Sequence, residues 1–529
     1  MDRRSFLLGT AGAAALPLTA PALAQPVGSR VLRFIPQADL AVIDPILTTA
    51  YVTRHHGFLI YDTLYGMDAQ FKPQPQMAEG HVIEDQGRRV TITLRQGLKF
   101  HDGAPVLAKD AVASIKRWWQ RDAMGQALAA ATEDLSATGD RTLVFRLKKP
   151  FALLLDALAK PGSPVCFIMP ERIAQTDANT AIRENIGSGP YRFKADERVP
   201  GSRLVYERNP DYLPRQDGNA EWTAGPKVVH FDRVEWTVMP DASTAAGALQ
   251  SGEMDWWEQP TADLLPLLRR NRNVKVETYD PTGLLGLLRF NHLHPPFNNP
   301  AIRRALLGAT SQADYMTAVI GTDRSMWREN VGFFPPGTPF ASEAGLAPLQ
   351  GPRDHEKVKR DLAAAGYKGE KVVLIAASDF PSLNALAQVC LDMLQKCGMN
   401  VDYVSTDWGS VVARRANRNP PDQGGWSIFM TFFTGLDFFS PAGHLGLRGN
   451  GTSAWFGWPT LPKLEELRTA WLDAPDLAAQ QRIAREIQEE GFREVPYIPV
   501  GQYFQPWAYR TNISGVLNGM PLFWNVRKG

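Results

Sequence analysis

Hydrophobic and polar positions alternate in several short stretches of the chain, and this pattern predicts β-strands. Val90, Ile92 and Leu94 alternate with polar residues, and residues 142–147 have the same period of two. A strand with this period has one buried and one exposed face. The other predicted strands cover 31–35, 234–238, 284–291, 371–377, 400–406, 426–433 and 496–504.

Apolar residues at helical spacing predict helices between these strands. The helix that begins near Ala108 places Val112, Ile115 and Trp119 on one face, and Asp110 lies in its first turn, where a negative charge suits the helix dipole. The other predicted helices include 151–160, 241–252, 382–397, 408–415, 461–472 and 477–492. Because strands and helices alternate between 371 and 433, we expect a largely parallel sheet there.

The first residues have the pattern of an export signal. Arg3-Arg4 precedes an apolar run, and Ala22-Leu23-Ala24 has the small residues of a cleavage site. This predicts a twin-arginine signal peptide over residues 1–24 and a mature periplasmic protein that begins at Gln25. The apolar run is shorter than the roughly 20 residues of a transmembrane helix. An uncleaved N-terminal anchor is the alternative.

Length and composition narrow the class of protein. A mature chain of about 500 residues exceeds one ordinary domain, so two or more lobes are expected. Lys and Arg total 57 and Asp and Glu total 55, which argues against nucleic acid or another polyanion as a partner. The 14 Trp residues suit an aromatic-lined pocket as well as a core. The three cysteines, Cys166, Cys390 and Cys397, form no disulfide framework and are expected in the core.

One set of motifs resembles a known family. Phe100-His101-Asp102-Gly103 stands between a strand and a helix with Asp110-Ala111-Val112, which resembles the signature of the extracytoplasmic solute-binding proteins of family 5. These are the peptide- and nickel-type receptors of ABC importers. Further stretches that resemble the family are Gly187-Ser188-Gly189-Pro190-Tyr191, Asn209-Pro210-Asp211-Tyr212 and Ser251-Gly252-Glu253-Met254-Asp255. The resemblance extends over nearly all of the mature chain.

The resemblance implies an α/β protein with the two-lobed periplasmic-binding-protein fold, type II, similar to the large cluster C. The expected first lobe comprises residues 31–283 and 498–529, with an inserted subdomain at about 66–190, and the second lobe comprises 284–497. The chain is expected to enter the second lobe at 284–297 and to leave it by a closing strand after Pro496. Two crossings of this kind make a hinge.

The implied function is that of a periplasmic substrate-binding protein, a monomer that delivers a small organic solute to an inner-membrane ABC permease without any cofactor. A peptide is the expected solute, and nickel or another metal chelate, an opine, a sugar or haem stays open. Gly-x-Ser-x-Gly, Ser-x-x-Lys, His-Glu-x-x-His and Walker patterns are missing from the sequence, so no enzyme is predicted. An exported enzyme on the same scaffold is the alternative.

The candidate site lies in the aromatic stretch 426–459. Ligands of open α/β sheets bind beyond the carboxyl ends of strands, and Asp437 lies in such a position. The resemblance implies that Asp437 pairs with a ligand's ammonium group, that Phe432 or Phe433 replaces a family Trp, and that Phe438 and Phe439 shield the carboxylate. Alternatively, these aromatic residues are core and Asp437 is a loop cap. Further ligand-binding candidates are Tyr51, His55, Trp408, Trp455 and Arg448.

The histidines are the best candidates for metal ligands. His55-His56 are adjacent, and His292 and His294 are two apart in an extended segment. No set of carboxylates or thiols converges on them in the sequence, so no metal site is predicted and solvent-exposed or capping histidines are expected. Metal-chelate binding stays open. His101 is interpreted as part of a structural turn.

Overall fold

The computed structural model describes residues 30–529, in which two large sheets account for most of the strands. The first sheet has seven strands, in the order Tyr191–Phe193, Arg203–Arg208, Arg233–Thr237, Val31–Ile35, Trp256–Trp257, Trp507–Arg510 and Val274–Glu277. Val31–Ile35 runs parallel to both of its neighbours. The N-terminal strand therefore forms the centre of the first lobe. The predicted signal peptide lies outside the described residues.

The second sheet has six strands and a mixed topology. Their order is Trp327–Arg328, Tyr497–Tyr503, Leu284–Phe290, Ile428–Thr434, Lys371–Ala377 and Asn400–Thr406. The predicted strands at 371–377 and 400–406 are confirmed, and they pair in parallel, as do 371–377 and 428–434. The other pairings are antiparallel. The parallel arrangement expected between residues 371 and 433 is therefore confirmed, but the sheet as a whole is mixed, because Leu284–Phe290 and Tyr497–Tyr503 run against their neighbours.

The chain crosses between the two sheets twice. Residues 278–283 lead into Leu284–Phe290, and residues 504–506 lead back to Trp507–Arg510. The return lies later than expected: Tyr497–Tyr503 pairs with Leu284–Phe290 inside the second sheet, so residues 498–503 do not belong to the first lobe. The Tyr279 ring at the first crossing stacks on Trp507 at the second, with centroids 4.8 Å apart. The two connections therefore lie side by side.

A third sheet of four strands is built from the inserted segment. Its strands, in order, are Ala78–Glu84, Arg89–Leu94, Thr142–Leu147 and Thr132–Ala137. Val90, Ile92 and Leu94 are buried, as their alternation predicts. Three short two-stranded ladders complete the described strands: Asp62–Thr63 with Phe167–Ile168, Tyr65–Met67 with Pro73–Pro75, and Ile513–Ser514 with Arg527–Lys528.

The helix Ala108–Trp118 covers this sheet, and it is rotated from the predicted face. Ala111, Ile115 and Trp118 are buried, whereas Val112 and Trp119 are only partly buried. Its N-cap is Leu107, whose amide donates to Asp110 Oδ2 at 2.7 Å, while the Glu171 amide donates to Asp110 Oδ1 at 2.7 Å. Asp110 thus accepts a hydrogen bond from a backbone amide at the N-terminus of each of two helices.

The family-like motifs meet in one structural clasp. The His101 amide donates to Gly187 O at 2.8 Å, and the Gly187 amide donates to His101 Nδ1 at 3.3 Å. A Cβ on Gly187 would lie 1.8 Å from Ile60 O, so only glycine allows this approach. The interpretation of His101 as a structural residue is confirmed.

The α-helices surround the sheets. Those that precede the first crossing are Tyr51–Ile60, Ala108–Trp118, Ala123–Ala131, Leu154–Ala159, Glu171–Ala174, Ala242–Ser251 and Leu265–Arg270. Those that follow it are Pro300–Ala305, Gln312–Ile320, His355–Ala364, Pro381–Lys396, Trp408–Arg414, Pro462–Leu472 and Leu477–Glu494. The three cysteines are buried and unbridged, as expected of core residues. Between residues 30 and 529, no helix combines the length and apolar character needed to cross a membrane.

Candidate functional site

The two lobes meet at Tyr51 and Asp437. Tyr51 is the first residue of the helix Tyr51–Ile60, and its Oη donates to Asp437 Oδ2 at 2.5 Å. Thr434 ends the strand Ile428–Thr434; its amide donates to Tyr51 Oη at 2.6 Å and its hydroxyl donates to Asp437 Oδ2 at 2.9 Å. Burial, and after it the charge of Asp437, raises the pKa of Tyr51, which keeps this phenol a donor. Asp437 therefore lies at the carboxyl end of a strand, where the sequence predicts the site.

The Asp437 carboxylate is buried and, within residues 30–529, forms no ion pair closer than 4 Å. Its exposed fraction is 9%. Its other oxygen faces Gly162 of the first lobe, where an added Cβ would lie 1.9 Å from Oδ1. Lys160 pairs with Asp122 at 2.9 Å and also donates to Gly162 O at 2.6 Å, so its ammonium lies near Asp437 without forming an ion pair with it. Within residues 30–529, Asp437 has hydroxyl donors but no ion-pair partner, and that is an unusual state for a buried charge.

Three of the predicted aromatic residues border one small cavity between the lobes. The ring centroids of Tyr51 and Phe432 are 5.9 Å apart, and Phe380 lies 5.8 Å from Phe432 and 5.4 Å from Trp408. The cavity measures about 20 Å³, room for one water molecule. Its wall consists of Gln37, Thr49, Ala50, Tyr51, Phe380, Leu383, Trp408, Arg415, Thr431 and Phe432.

Three further phenylalanines of the aromatic stretch, Phe433, Phe438 and Phe439, pack against other aromatic rings. Phe433 packs on Phe438, with ring centroids 4.8 Å apart, and lies 5.2 Å from Trp455. Phe438 stacks on His444 at 3.8 Å. Phe439 lies 6.1 Å from both Phe71 and Phe340. These rings therefore pack against other segments of the chain, and the shielding of Asp437 by Phe438 and Phe439 stays a prediction.

Arg448 and Trp455 border a second, wider space between the lobes, a cleft of about 1020 Å³. Arg448 pairs with Glu465 at 2.9 Å, and its Nη1 donates to Gln126 Oε1 of the first lobe at 2.7 Å. The Trp455 indole N–H has no partner within the described residues. A third space of about 650 Å³ lies between Pro36–Asp39 and Asp379–Ser382 on another side of the contact. Five of the predicted site residues thus border two separate spaces, whereas Asp437, Phe433 and His55 border neither.

A comparison with protein families decides the class of protein. Residues 72–449 match the model of the bacterial extracellular solute-binding proteins, family 5 Middle, which is more than half of the chain. The chain belongs to this family. A probable peptide ABC transporter periplasmic-binding protein of Sinorhizobium fredii is 38% identical over 507 residues, covering 93% of this chain and 92% of that protein.

Solved structures of other solute-binding proteins share the fold. One is the periplasmic binding protein AgaA of A. tumefaciens R10 in complex with agropinic acid; it has a TM-score of 0.77 and 21% identity, and the match covers 94% of this chain and 99% of that one. Another is a dipeptide-binding protein of Pseudoalteromonas sp. SM9913 in complex with Met-Leu, with a TM-score of 0.75, 20% identity, and coverage of 94% and 100%. The two-lobed α/β fold expected from the sequence is confirmed.

His55 of this solute-binding protein lies away from these cavities. Its Nδ1 is 3.4 Å from Glu258 Oε1 and its Nε2 is 3.3 Å from Arg54 Nη2. Burial raises the pKa of Glu258 to about 8, and burial followed by the charge of Arg54 lowers the pKa of His55. The Glu258 carboxyl also accepts the Gln37 amide at 2.8 Å. His55 stays a predicted ligand residue, with a structural partner now assigned.

The other candidate metal ligands point to separate partners. His56 Nδ1 lies 2.9 Å from Tyr206 Oη, His292 Nε2 lies 3.1 Å from Pro496 O, and His294 Nε2 lies 2.8 Å from Arg418 O. No group of three or more potential metal ligands occurs between residues 30 and 529. The expectation of solvent-exposed histidines is wrong for His55 and His56, which are buried.

Sequence reasoning missed two buried arginines at the contact between the lobes. Arg54 lies with its guanidinium carbon 4.1 Å from the Tyr51 ring centroid, and Arg415 borders the small cavity. Both are less than 5% exposed. In the sequence, Arg415 is one of a pair of basic residues at the end of a helix, a position that a cation takes for the helix dipole alone. Only the three-dimensional contacts distinguish it.

Proposed function

We propose that this solute-binding protein is the periplasmic receptor of an ABC importer and binds a small peptide by its free amino terminus. The supporting observation is Asp437, a buried carboxylate at the contact between the lobes with hydroxyl donors but, within residues 30–529, no ion pair closer than 4 Å. An ammonium group on the solute supplies the missing charge. The relative from Sinorhizobium fredii and the complex with Met-Leu support a peptide as the solute.

The proposed mechanism is closure of two lobes about the paired crossings at 278–283 and 504–506. The first lobe comprises about 31–283 and 504–529, and the second comprises about 284–503. In the open state Tyr51 and Gly162 move away from Asp437, which leaves its carboxylate accessible from the cleft. The solute enters with its ammonium group at Asp437, and closure buries the ion pair. The permease then receives the closed, loaded protein.

A competition between peptides tests this proposal. The purified protein is freed of bound solute by denaturation and refolding, then incubated with an equimolar mixture of synthetic di- to pentapeptides, each with a free and an Nα-acetylated amino terminus. Native mass spectrometry reads out what is retained. We expect retention of the free peptides, and a loss of about 2–5 kcal/mol in affinity for the Asp437→Asn variant with little change in melting temperature.

Asp361→Asn is the matched control, because Asp361 pairs with Lys357 at 2.6 Å on the surface of its own lobe. It should bind as the wild type does. Equal retention of free and acetylated peptides, or unchanged affinity of Asp437→Asn, would remove Asp437 from the site. A loss of stability of about 1 kcal/mol at unchanged affinity would identify Asp437 as a loop cap.

Agropinic acid is a second candidate solute, favoured by the structural similarity to AgaA in complex with this compound. Adding agropinic acid to the peptide mixture distinguishes the two. An exported enzyme on the same scaffold is also distinguishable: a receptor releases its solute unchanged, whereas an enzyme releases a product of different mass.

We further propose export by the twin-arginine route and a monomeric mature protein. Arg3-Arg4 and Ala22-Leu23-Ala24 support the export route. Replacing both arginines by lysine should leave uncleaved precursor in the cytoplasm, detected by immunoblotting of cell fractions. Normal export of that variant would contradict the route. Sedimentation of the mature protein at the mass of one chain is the expected result for a monomer.

A further inference from the structure

Arg415 is a buried cation whose hydrogen bonds are mostly unmade. Its exposed fraction is 2%, and it follows the helix Trp408–Arg414. Its Nη2 donates to Thr48 Oγ1 of the first lobe at 3.0 Å, and this is its one side-chain hydrogen bond to residues 30–529. Its Nε has no partner. A guanidinium carries five N–H donors, so most of this group's capacity is unused.

Burial alone does not account for this state, because two buried arginines of the second lobe are well paired, whereas Arg54, also at the contact between the lobes, leaves its Nε without a partner among the described residues. Arg289 donates to four backbone carbonyls: those of Phe456, Gly446, Pro496 and Trp455. Arg468 donates to three carbonyls, those of Pro441, Ala123 and Ala442. Buried donors are usually paired in folded proteins. Arg415 departs from that rule at the place where the two lobes meet.

The surroundings of Arg415 are aromatic and open onto the cleft. Its guanidinium carbon lies 4.9 Å from the Phe456 ring centroid, 5.5 Å from Trp408 and 6.0 Å from Phe429. Arg415 borders the small cavity together with Tyr51, whereas Phe456 and Thr48 border the wide cleft. No Asp or Glu within the described residues forms an ion pair with it. Aromatic walls hold a guanidinium flat but supply no counter-charge.

We propose that Arg415 is an anion-binding residue that holds the carboxylate of the solute. The inference deepens the proposed function and rests on it. The planar fork of a guanidinium matches a carboxylate with two parallel hydrogen bonds. Tyr51 lies between the two charges, since its Oη bonds Asp437 while its ring borders the same cavity as Arg415. A short zwitterion, with an ammonium group at one end and a carboxylate at the other, satisfies both.

A second mixture of peptides tests this role. Each di- to pentapeptide has a free amino terminus and is present both as the free acid and as the carboxyl-terminal amide. We expect the wild type to retain the acids and the Arg415→Gln variant to lose about 30-fold or more in affinity for them, together with the preference over amides. Arg414→Gln is the matched control, since Arg414 donates to the Gly425 carbonyl within its own lobe.

The outcomes separate this inference from the proposed function. If the wild type retains acids and amides equally, the peptide receptor stands and the role of Arg415 is overturned. If it retains no peptide, the proposal that the solute is a peptide is wrong, and the role of Arg415 is then tested by the melting temperature of the solute-free protein. A buried cation without a counter-ion destabilises the solute-free protein, so Arg415→Met should raise the melting temperature. A lower melting temperature would identify a structural bridge between the lobes and would overturn the inference.

Discussion

Two regions of the molecule bury arginine in different ways. Inside the second lobe, Arg289 donates to four backbone carbonyls. At the contact between the lobes, within residues 30–529, the Arg415 side chain makes one hydrogen bond and Asp437 forms no ion pair closer than 4 Å. The first arrangement forms when the lobe folds. The second leaves an arginine and a carboxyl group for which the proposed solute would supply the oppositely charged partners.

The largest expected effect lies in the satisfied region. Arg289→Met would leave the buried carbonyls of Phe456 and Gly446 without a donor, each costing about 1–3 kcal/mol, so we expect a loss of about 2–6 kcal/mol in the free energy of unfolding. Urea denaturation measures it. Arg304→Met is the control, because Arg304 is exposed and donates to the carbonyl of Arg493 alone. A loss below about 1 kcal/mol for Arg289→Met would remove the contrast between the regions.

Substitution of Glu258 tests whether a buried carboxyl group near the contact between the lobes lowers the free energy of unfolding when it is ionised. Because burial raises its pKa to about 8, the folded protein holds this proton more tightly than the unfolded chain does. Its contribution to stability is therefore full below about pH 4.5 and is lost as the pH rises to about 8. Glu258→Gln keeps an acceptor for the Gln37 amide and removes the charge.

We expect Glu258→Gln to be more stable than the wild type by about 3 kcal/mol at pH 9 and to differ little at pH 4.5. Chemical denaturation at a series of pH values measures the difference. Glu253→Gln, at an exposed position, should show no such dependence. A constant difference at all pH values would mean that Glu258 does not titrate in this window and that its bond to Gln37, rather than its charge, determines the effect.

Gly162 tests the close approach of the first lobe to Asp437. In Gly162→Ala the new methyl group would lie 1.9 Å from Asp437 Oδ1, so the lobes cannot close without a shift. Overpacking of this kind costs about 1–3 kcal/mol, and we expect it in the affinity for the retained peptides rather than in the folding of either lobe. Small-angle scattering with peptide should show a wider particle than the wild type. Gly139→Ala, where no atom lies within 4 Å, should behave as the wild type.

The smallest effect is expected for Tyr51→Phe. The change removes one hydroxyl, which donates to Asp437 and accepts from the Thr434 amide, and it should cost about 1 kcal/mol in affinity with no change in melting temperature. Tyr367→Phe is the matched control, because that hydroxyl also donates and accepts but inside one lobe, to Glu370 O and from the Asn400 amide. Loss of stability by Tyr51→Phe alone would place its hydroxyl in the folding core.

Local pattern was enough to predict the elements, but not how the strands are paired. The strand 371–377 and the helix at 408–414 follow directly from apolar spacing. The direction of Leu284–Phe290 does not, since an apolar strand buried on both faces reads the same in a parallel and an antiparallel sheet. For the same reason the predicted point of return to the first lobe was too early. Nothing in the sequence of Tyr497–Tyr503 indicates that this strand pairs with Leu284–Phe290.

The candidate site was predictable only where position along a strand determines it. Asp437 follows a buried strand, and the carboxyl end of a strand is a place for ligands whatever the rest of the chain does. Arg415 could not be found in this way. Arg415 is a candidate because no acidic residue of the described chain pairs with it. That property depends on which distant segments pack around Arg415, and its hydrogen-bond partner Thr48 is nearly 370 residues away in the sequence.

The clasp between His101 and Gly187 has a consequence for how such receptors diverge. Phe100–Gly103 borders none of the three spaces between the lobes. Selection can therefore change the walls of the cleft, and with them the nutrient that is taken up, while the clasp stays as it is. The motifs by which the family is recognised therefore say almost nothing about which solute is bound. The solute is determined by a few side chains that lie outside these motifs.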